Sequence, residues 1–204
     1  AARAAGASVI VMDDGLQNAS LAKDFTMAVV DGRRGLGNAR VFPAGPLRAP
    51  LATQLAQTDA LLAVGGGNGA RDVVAAAPHL PVFHARLEPD PAAVASLHGR
   101  TVLAFAGIGD PEKFFASAAA AGIAITERRA VADHHRFTAE EAAELILQAE
   151  HGGLALLTTE KDRARMAGEP LLAALAEKTH VLPATMVVEE GDELRRLVLA
   201  KLRR

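Results

Sequence analysis

Short apolar runs recur along this chain, separated by segments whose apolar residues fall at helical spacing. Runs at Ser8–Met12, Met27–Asp31, Ala60–Val64, Val82–Leu87, Thr101–Ala106, Ile123–Arg128, Leu154–Thr158 and His180–Pro183 predict strands. Several are apolar without alternation, the pattern of strands covered on both faces. Helix starts are marked by their own chemistry. Asp110-Pro111 supplies an N-cap and a first-turn proline ahead of Lys113-Phe114-Phe115. Thr138-Ala139-Glu140-Glu141 has capping-box spacing and leads into Ala142–Gln148, and Glu190–Leu202 carries apolar residues at helical spacing. Strands alternating with helices predict an α/β fold, a largely parallel sheet with helices on both faces. The prolines of Leu87-Glu88-Pro89-Asp90-Pro91 interrupt the pattern and predict two lobes, 1–88 and 89–204. Ala1–Gly6 reads as the end of a helix feeding the first strand, so the chain is expected to open mid-fold.

Composition narrows the function classes. Half of the 204 residues are hydrophobic but only 3% are aromatic, so Ala, Val and Leu must fill the interior. Few aromatics and a net charge of -2 argue against base-stacking platforms and a broad phosphate-backbone footprint, hence no nucleic-acid partner. The absence of cysteine excludes disulfides and thiolate metal sites. The sequence holds no apolar stretch long enough to span a bilayer. The last helix carries Arg195, Arg196, Lys201, Arg203 and Arg204, a set that suits either an anionic lipid surface or an ordinary solvated face.

The chemistry gathers in a few polar segments. Asp13-Asp14 ends the first apolar run, where α/β nucleotide enzymes hold a magnesium ion, although a solvated loop has the same composition. The stretch from Asp31-Gly32-Arg33-Arg34-Gly35 to Pro43-Ala44-Gly45-Pro46-Leu47-Arg48 reads as a working loop. Arg33, Arg34, Arg40 and Arg48 can offer forked donors to phosphate oxygens, with Arg48 on a proline-stiffened backbone. Gly65-Gly66-Gly67-Asn68-Gly69 lacks the Lys-Ser/Thr of a phosphate loop and reads as a flexible turn. Gly107-Ile108-Gly109-Asp110-Pro111 can present backbone N–H groups to an anion or simply join a strand to a helix. Asp133-His134-His135 offers metal ligation or a proton-handling histidine oriented by a carboxylate. Thr159-Glu160-Lys161-Asp162 reads as a helix cap or as an organising turn at the same sheet edge as Asp13.

Taken in order over nearly the whole chain, Asp13-Asp14-Gly15-Leu16-Gln17, Asp31 to Arg48, Phe105-Ala106-Gly107-Ile108-Gly109, Asp133-His134-His135 and Thr159-Glu160-Lys161-Asp162 resemble the lipid A 4′-kinase (tetraacyldisaccharide 4′-kinase) family. The resemblance implies a P-loop NTPase-like fold of two α/β lobes. It implies ATP- and Mg2+-dependent phosphorylation of the 4′-hydroxyl of a lipid-linked disaccharide 1-phosphate. The place implied is the bacterial cytoplasm, peripheral to the cytoplasmic face of the inner membrane. Asp13 and Asp14 resemble the Walker-B acids that serve magnesium and the nucleotide, and Arg48 a residue lining the phosphate-transfer site. His134 resembles the histidine that pairs with a catalytic aspartate, with His135 the second choice. The family's phosphate loop and that aspartate belong to a region expected ahead of Ala1. The chain is thus expected to be the back portion of the enzyme, with little or no kinase activity by itself.

Two positions depart from the family pattern: Asn18 replaces its usual His, and Ala49 the Glu after Pro-Leu-Arg. Other readings remain at this point. A metal-dependent phosphoesterase could use Asp133-His134-His135 with carboxylates from Asp13, Asp14 and Asp31. A non-catalytic nucleotide- or lipid-binding module is the third. Oligomeric state is not encoded in any feature of the sequence.

Overall fold

The apolar run Ala60–Val64 forms a strand, β2, buried along its whole length. Strand side chains point alternately to opposite faces, and each face of β2 has its own core. Leu61 packs with Val30, Leu55, Val73 and Ala77, while Ala60, Leu62 and Val64 pack with Phe83 and Ala85. β1 (Met27–Asp31) and β3 (Val82–Pro89) pair with β2 in parallel, and β8 (Ala184–Val188) completes the order β1-β2-β3-β8. Helices α1 (Leu51–Leu55) and α2 (Arg71–Ala76) supply the first core; α8 (Gly191–Leu202) supplies Leu194 and Leu197 to the second.

The same logic builds a second sheet, of order β5-β4-β6-β7 with every pair parallel. Its strands are β4 (Thr101–Ala106), β5 (Ala124–Ala130), β6 (Ala155–Thr158) and β7 (Thr179–Val181). Leu103, Phe105 and Leu156 face α5 (Ala139–Gly152), α6 (Glu160–Met166) and α7 (Ala173–Lys178). Val102, Ala104, Ala106 and Leu157 face α4 (Pro111–Ala120) and the end of α3 (Pro91–Ser96). Asp110, Thr138 and Thr159 each accept a backbone N–H at a helix start, as the sequence predicts, and Asp90 does the same for α3, where the proline pattern predicts only a boundary.

The structure, a computed structural model, describes residues 3–202. It divides into one unit of Ala1–Leu87 with Met186–Arg204 and another of Glu88–Thr185. The expected lobe 89–204 therefore gives its last segment to the first unit. The cause is apolar and ionic: Val188, Leu194 and Leu197 join the β2–β3 core, and Lys201 pairs with Asp59 at 2.7 Å. Lys201 is thus engaged within the protein, while Arg203 and Arg204 lie outside the described residues, as do Ala1 and Ala2.

One predicted strand is not formed. Ser8–Met12 is irregular, with Ile10 67% and Val11 90% exposed. Apolar composition signals a demand for burial; a strand also needs a hydrogen-bonded neighbour, and among the described residues none pairs with this segment. Conversely, β8 is a strand the hydrophobic pattern does not reveal, because its residues are exposed or half-buried.

The capping box at α5 is complete. Thr138 Oγ1 accepts the Glu141 N–H at 3.2 Å, and Glu141 Oε2 accepts the Thr138 N–H at 2.8 Å. That N–H, and secondarily His135, hold the Glu141 carboxyl below its usual range. The box therefore stabilises the fold above the ordinary glutamate pKa near 4.5, and the contribution fades as pH falls through the lowered value. Thr138→Ala is expected to cost about 1 kcal/mol in thermal unfolding at neutral pH; an unchanged melting temperature would show that the cap is idle.

Candidate functional site

In the first unit the acidic pair sits in a turn rather than at a strand end. Both aspartates are exposed, and Asp14 has φ 51°, the left-handed region that non-glycine residues rarely occupy. Arg48 reaches Asp14, Nη2 to Oδ2 at 3.2 Å, with side chains 63% and 77% exposed. A second tie runs alongside, because Gln17 Nε2 donates to Gln54 Oε1 at 2.8 Å. Gln54 in turn donates to the Ala49 carbonyl at 2.7 Å, so the Pro-Leu-Arg segment, Asp13–Gln17 and α1 are bound as one assembly. Asn18, one of the two departures from the family pattern, closes a local turn by accepting from both N–H and O–H of Ser20. Asp31 accepts the N–H groups of Arg33 and Arg34, each at 2.9 Å, so its carboxylate shapes the loop.

The glycine cluster is packing machinery. Its backbone seats against the Asp31–Gly35 turn, with the Gly69 N–H donating to the Gly32 carbonyl at 2.6 Å. A Cβ on Gly35 would stand 2.1 Å from the Gly69 carbonyl oxygen, and Gly35 has φ 56°. Gly65 shares a positive φ, 78°, but has open space around it. Gly35→Ala is expected to cost about 3 kcal/mol, from strained backbone plus a clash that only backbone movement relieves. Gly65→Ala is expected to cost about 1 kcal/mol from conformation alone. Equal losses in denaturant unfolding would refute the interlocked-loop account.

The second unit carries Asp133-His134-His135. His134 is 82% exposed and has φ 61°. Its N–H lies 3.1 Å from the Gly107 carbonyl and 2.9 Å from Asp133 Oδ1. Arg165 Nη2 lies 3.2 Å from His134 Nδ1, and Asp133 Oδ2 lies 3.7 Å from His134 Nε2. His135 is spent elsewhere, on both oxygens of Glu141 and edge-on to Phe137. Asp162 is fully buried. It accepts from Thr159 Oγ1 at 2.7 Å, Arg165 Nη1 at 2.9 Å and the Gly107 N–H at 3.1 Å. The Gly107 turn does present an N–H to an anion, and that anion is the protein's own Asp162.

The structure thus joins Asp14 to Arg48 in the first unit and places His134 in the second. Asp13 and the Thr159–Asp162 turn, expected at one sheet edge, belong to different units, and Asp13 lies in a turn rather than on a sheet. Sequence reasoning missed Gln54 and Arg165. The i, i+3 spacing of Asp162 and Arg165 on a helix was the available signal for the latter; nothing local marks Gln54.

A family model described as tetraacyldisaccharide-1-P 4′-kinase matches residues 1–203. Proteins named tetraacyldisaccharide 4′-kinase from Rhodopseudomonas palustris (strain BisB5) and Nitrobacter winogradskyi are 54% and 51% identical over 203 and 208 residues. Those alignments cover 98% and 100% of this chain but 60% and 62% of the relatives, so the chain spans about three-fifths of their length. The crystal structure of LpxK from Aquifex aeolicus in complex with ATP matches the fold with a TM-score of 0.62 and 24% identity, over 93% of this chain and 56% of that one. By sequence over nearly its whole length, and in agreement with its fold, this chain belongs to the tetraacyldisaccharide-1-P 4′-kinase family.

Proposed function

We propose that this chain supplies the magnesium-holding acids, the Arg48 guanidinium and His134 to an ATP-dependent kinase acting on the 4′-hydroxyl of a tetraacyldisaccharide 1-phosphate. The observation that carries the reading is the Asp14–Arg48 pair, exposed side chains of opposite charge held in place by the Gln17–Gln54 tie. Phosphoryl transfer requires positioning and charge neutralisation more than covalent chemistry from the protein. Arg48 offers a planar fork of donors to phosphate oxygens.

The donor set fits magnesium. Magnesium takes hard oxygen ligands, and commonly one or two carboxylates complete a shell of waters and phosphates. Asp13 and Asp14 are exposed carboxylates of that kind. Among the described residues no three His, Asp or Glu side chains gather into a self-sufficient metal site. Magnesium, when bound, neutralises phosphate charge. The nucleotide's phosphates find no Gly-Lys-Ser/Thr cradle in this sequence; we therefore propose that the chain by itself turns over little or no ATP. No described helix is long and apolar enough to cross a membrane, and the lipid substrate places the reaction, in this reading, at the surface of the bacterial inner membrane.

No observation favours the phosphoesterase reading, since His135 is engaged with Glu141 and Asp31 with its own loop. The test compares ADP release by this chain alone with release by the chain joined to the part of the Rhodopseudomonas palustris relative that it does not match. Magnesium-dependent turnover is expected only in the joined protein. Manganese-dependent phosphate release from p-nitrophenyl phosphate by the chain alone would replace the kinase reading with a phosphoesterase. Saturable ATP binding without turnover in the joined protein would replace it with a binding module.

A further inference from the structure

We propose that Arg165, held by the buried Asp162, is a positioning residue that fixes the ring and the tautomer of His134. A guanidinium has donors only and does not lose its proton in proteins. With Arg165 Nη2 3.2 Å from His134 Nδ1, that nitrogen must be the acceptor, and the neutral ring carries its proton on Nε2. Nε2 faces the Asp133 carboxylate, at 3.7 Å, and solvent. His134 then presents a hydrogen-bond donor outward. Accepting a proton at Nδ1 would require breaking the bond to Arg165.

The donor is itself anchored. Arg165 Nη1 donates to Asp162 Oδ1 and to the Gly107 carbonyl, the same oxygen that receives the His134 N–H. Asp162 is locked by Thr159 and by the Gly107 N–H. This lattice explains how a side chain 82% exposed can keep one orientation. The Thr159-Glu160-Lys161-Asp162 segment acquires a use from it: the turn aims Arg165 at the histidine. The service of His134 to the reaction rests on the kinase reading above; the tautomer does not.

The experiment needs no turnover, so it separates the two ideas. In the 204-residue chain with 15N-labelled histidine and arginine, two-bond 1H–15N correlations are recorded with the rings neutral, at about pH 9. His134 is expected as a single Nε2–H tautomer, with the Nδ1 shift of an accepting ring nitrogen. Arg165→Met is expected to mix the tautomers and lower the ring order parameter below about 0.6. Arg165→Lys, which keeps a cation beside Asp162, should restore part of the order. An Nδ1–H tautomer, or a mixture of the two tautomers, in the wild-type chain overturns the proposal even if Arg165→Met fails to fold. Normal kinase turnover in a joined His134→Asn protein would instead remove His134 from the reaction and leave the Arg165 bond standing.

Discussion

Asp162→Ala is expected to lower the unfolding free energy of the second unit by about 3–5 kcal/mol, the usual cost of removing one partner from a buried ion pair. The wild-type carboxylate is fully buried and satisfied by three donors from Thr159, Gly107 and Arg165. Truncation strands the Arg165 guanidinium, 22% exposed, and leaves the Gly107 N–H without its acceptor. Each buried unsatisfied group costs about 1–3 kcal/mol, more for a charge. Asp162→Asn keeps the volume but loses the charge, and is expected to fall between wild type and Ala. Urea unfolding followed by amide exchange on β4 and β6 reads this unit separately from the other. A loss under 1 kcal/mol for Ala would mean that the network does not hold the Gly107 turn.

Asp14→Asn is expected to do the reverse, leaving stability within about 0.5 kcal/mol while lowering phosphoryl transfer by the joined protein about 100-fold or more. Asp14 is largely exposed, so no core depends on it. Its φ of 51° is one that asparagine tolerates well, so the substitution changes charge without adding backbone strain. On the proposed kinase reading, in which Asp14 serves magnesium, the substitution should also raise the magnesium concentration needed for half-maximal rate. Unaltered kinetics would remove Asp14 from the site; an unfolded variant would contradict its surface placement.

The sequence was most readable where burial is continuous. Ala60–Val64 and Thr101–Ala106 announce themselves because both faces are covered, and proline and capping residues mark the helices beside them. Ser8–Met12 misled for a physical reason: hydrophobicity records a need for cover, while strand formation depends on a partner that composition does not name. β8 was silent because edge exposure erases alternation. At the site, residue types were legible but not their employment. Thr159-Glu160-Lys161-Asp162 is polar on paper, yet Asp162 is among the most buried residues because a turn, an arginine and a glycine N–H converge on it. Nothing in the sequence shows that His135, the second choice beside His134, is occupied by Glu141 of the capping box.

The most direct test of the kinase reading is to locate the phosphate in the product. The joined protein is incubated with ATP, magnesium and a tetraacyldisaccharide 1-phosphate, and the product is examined by 31P NMR and fragmentation mass spectrometry. A second phosphomonoester is expected at the 4′ position, absent without magnesium and strongly reduced in Asp14→Asn. Transfer to another hydroxyl, or 4′ transfer indifferent to both magnesium and Asp14, would contradict the kinase reading.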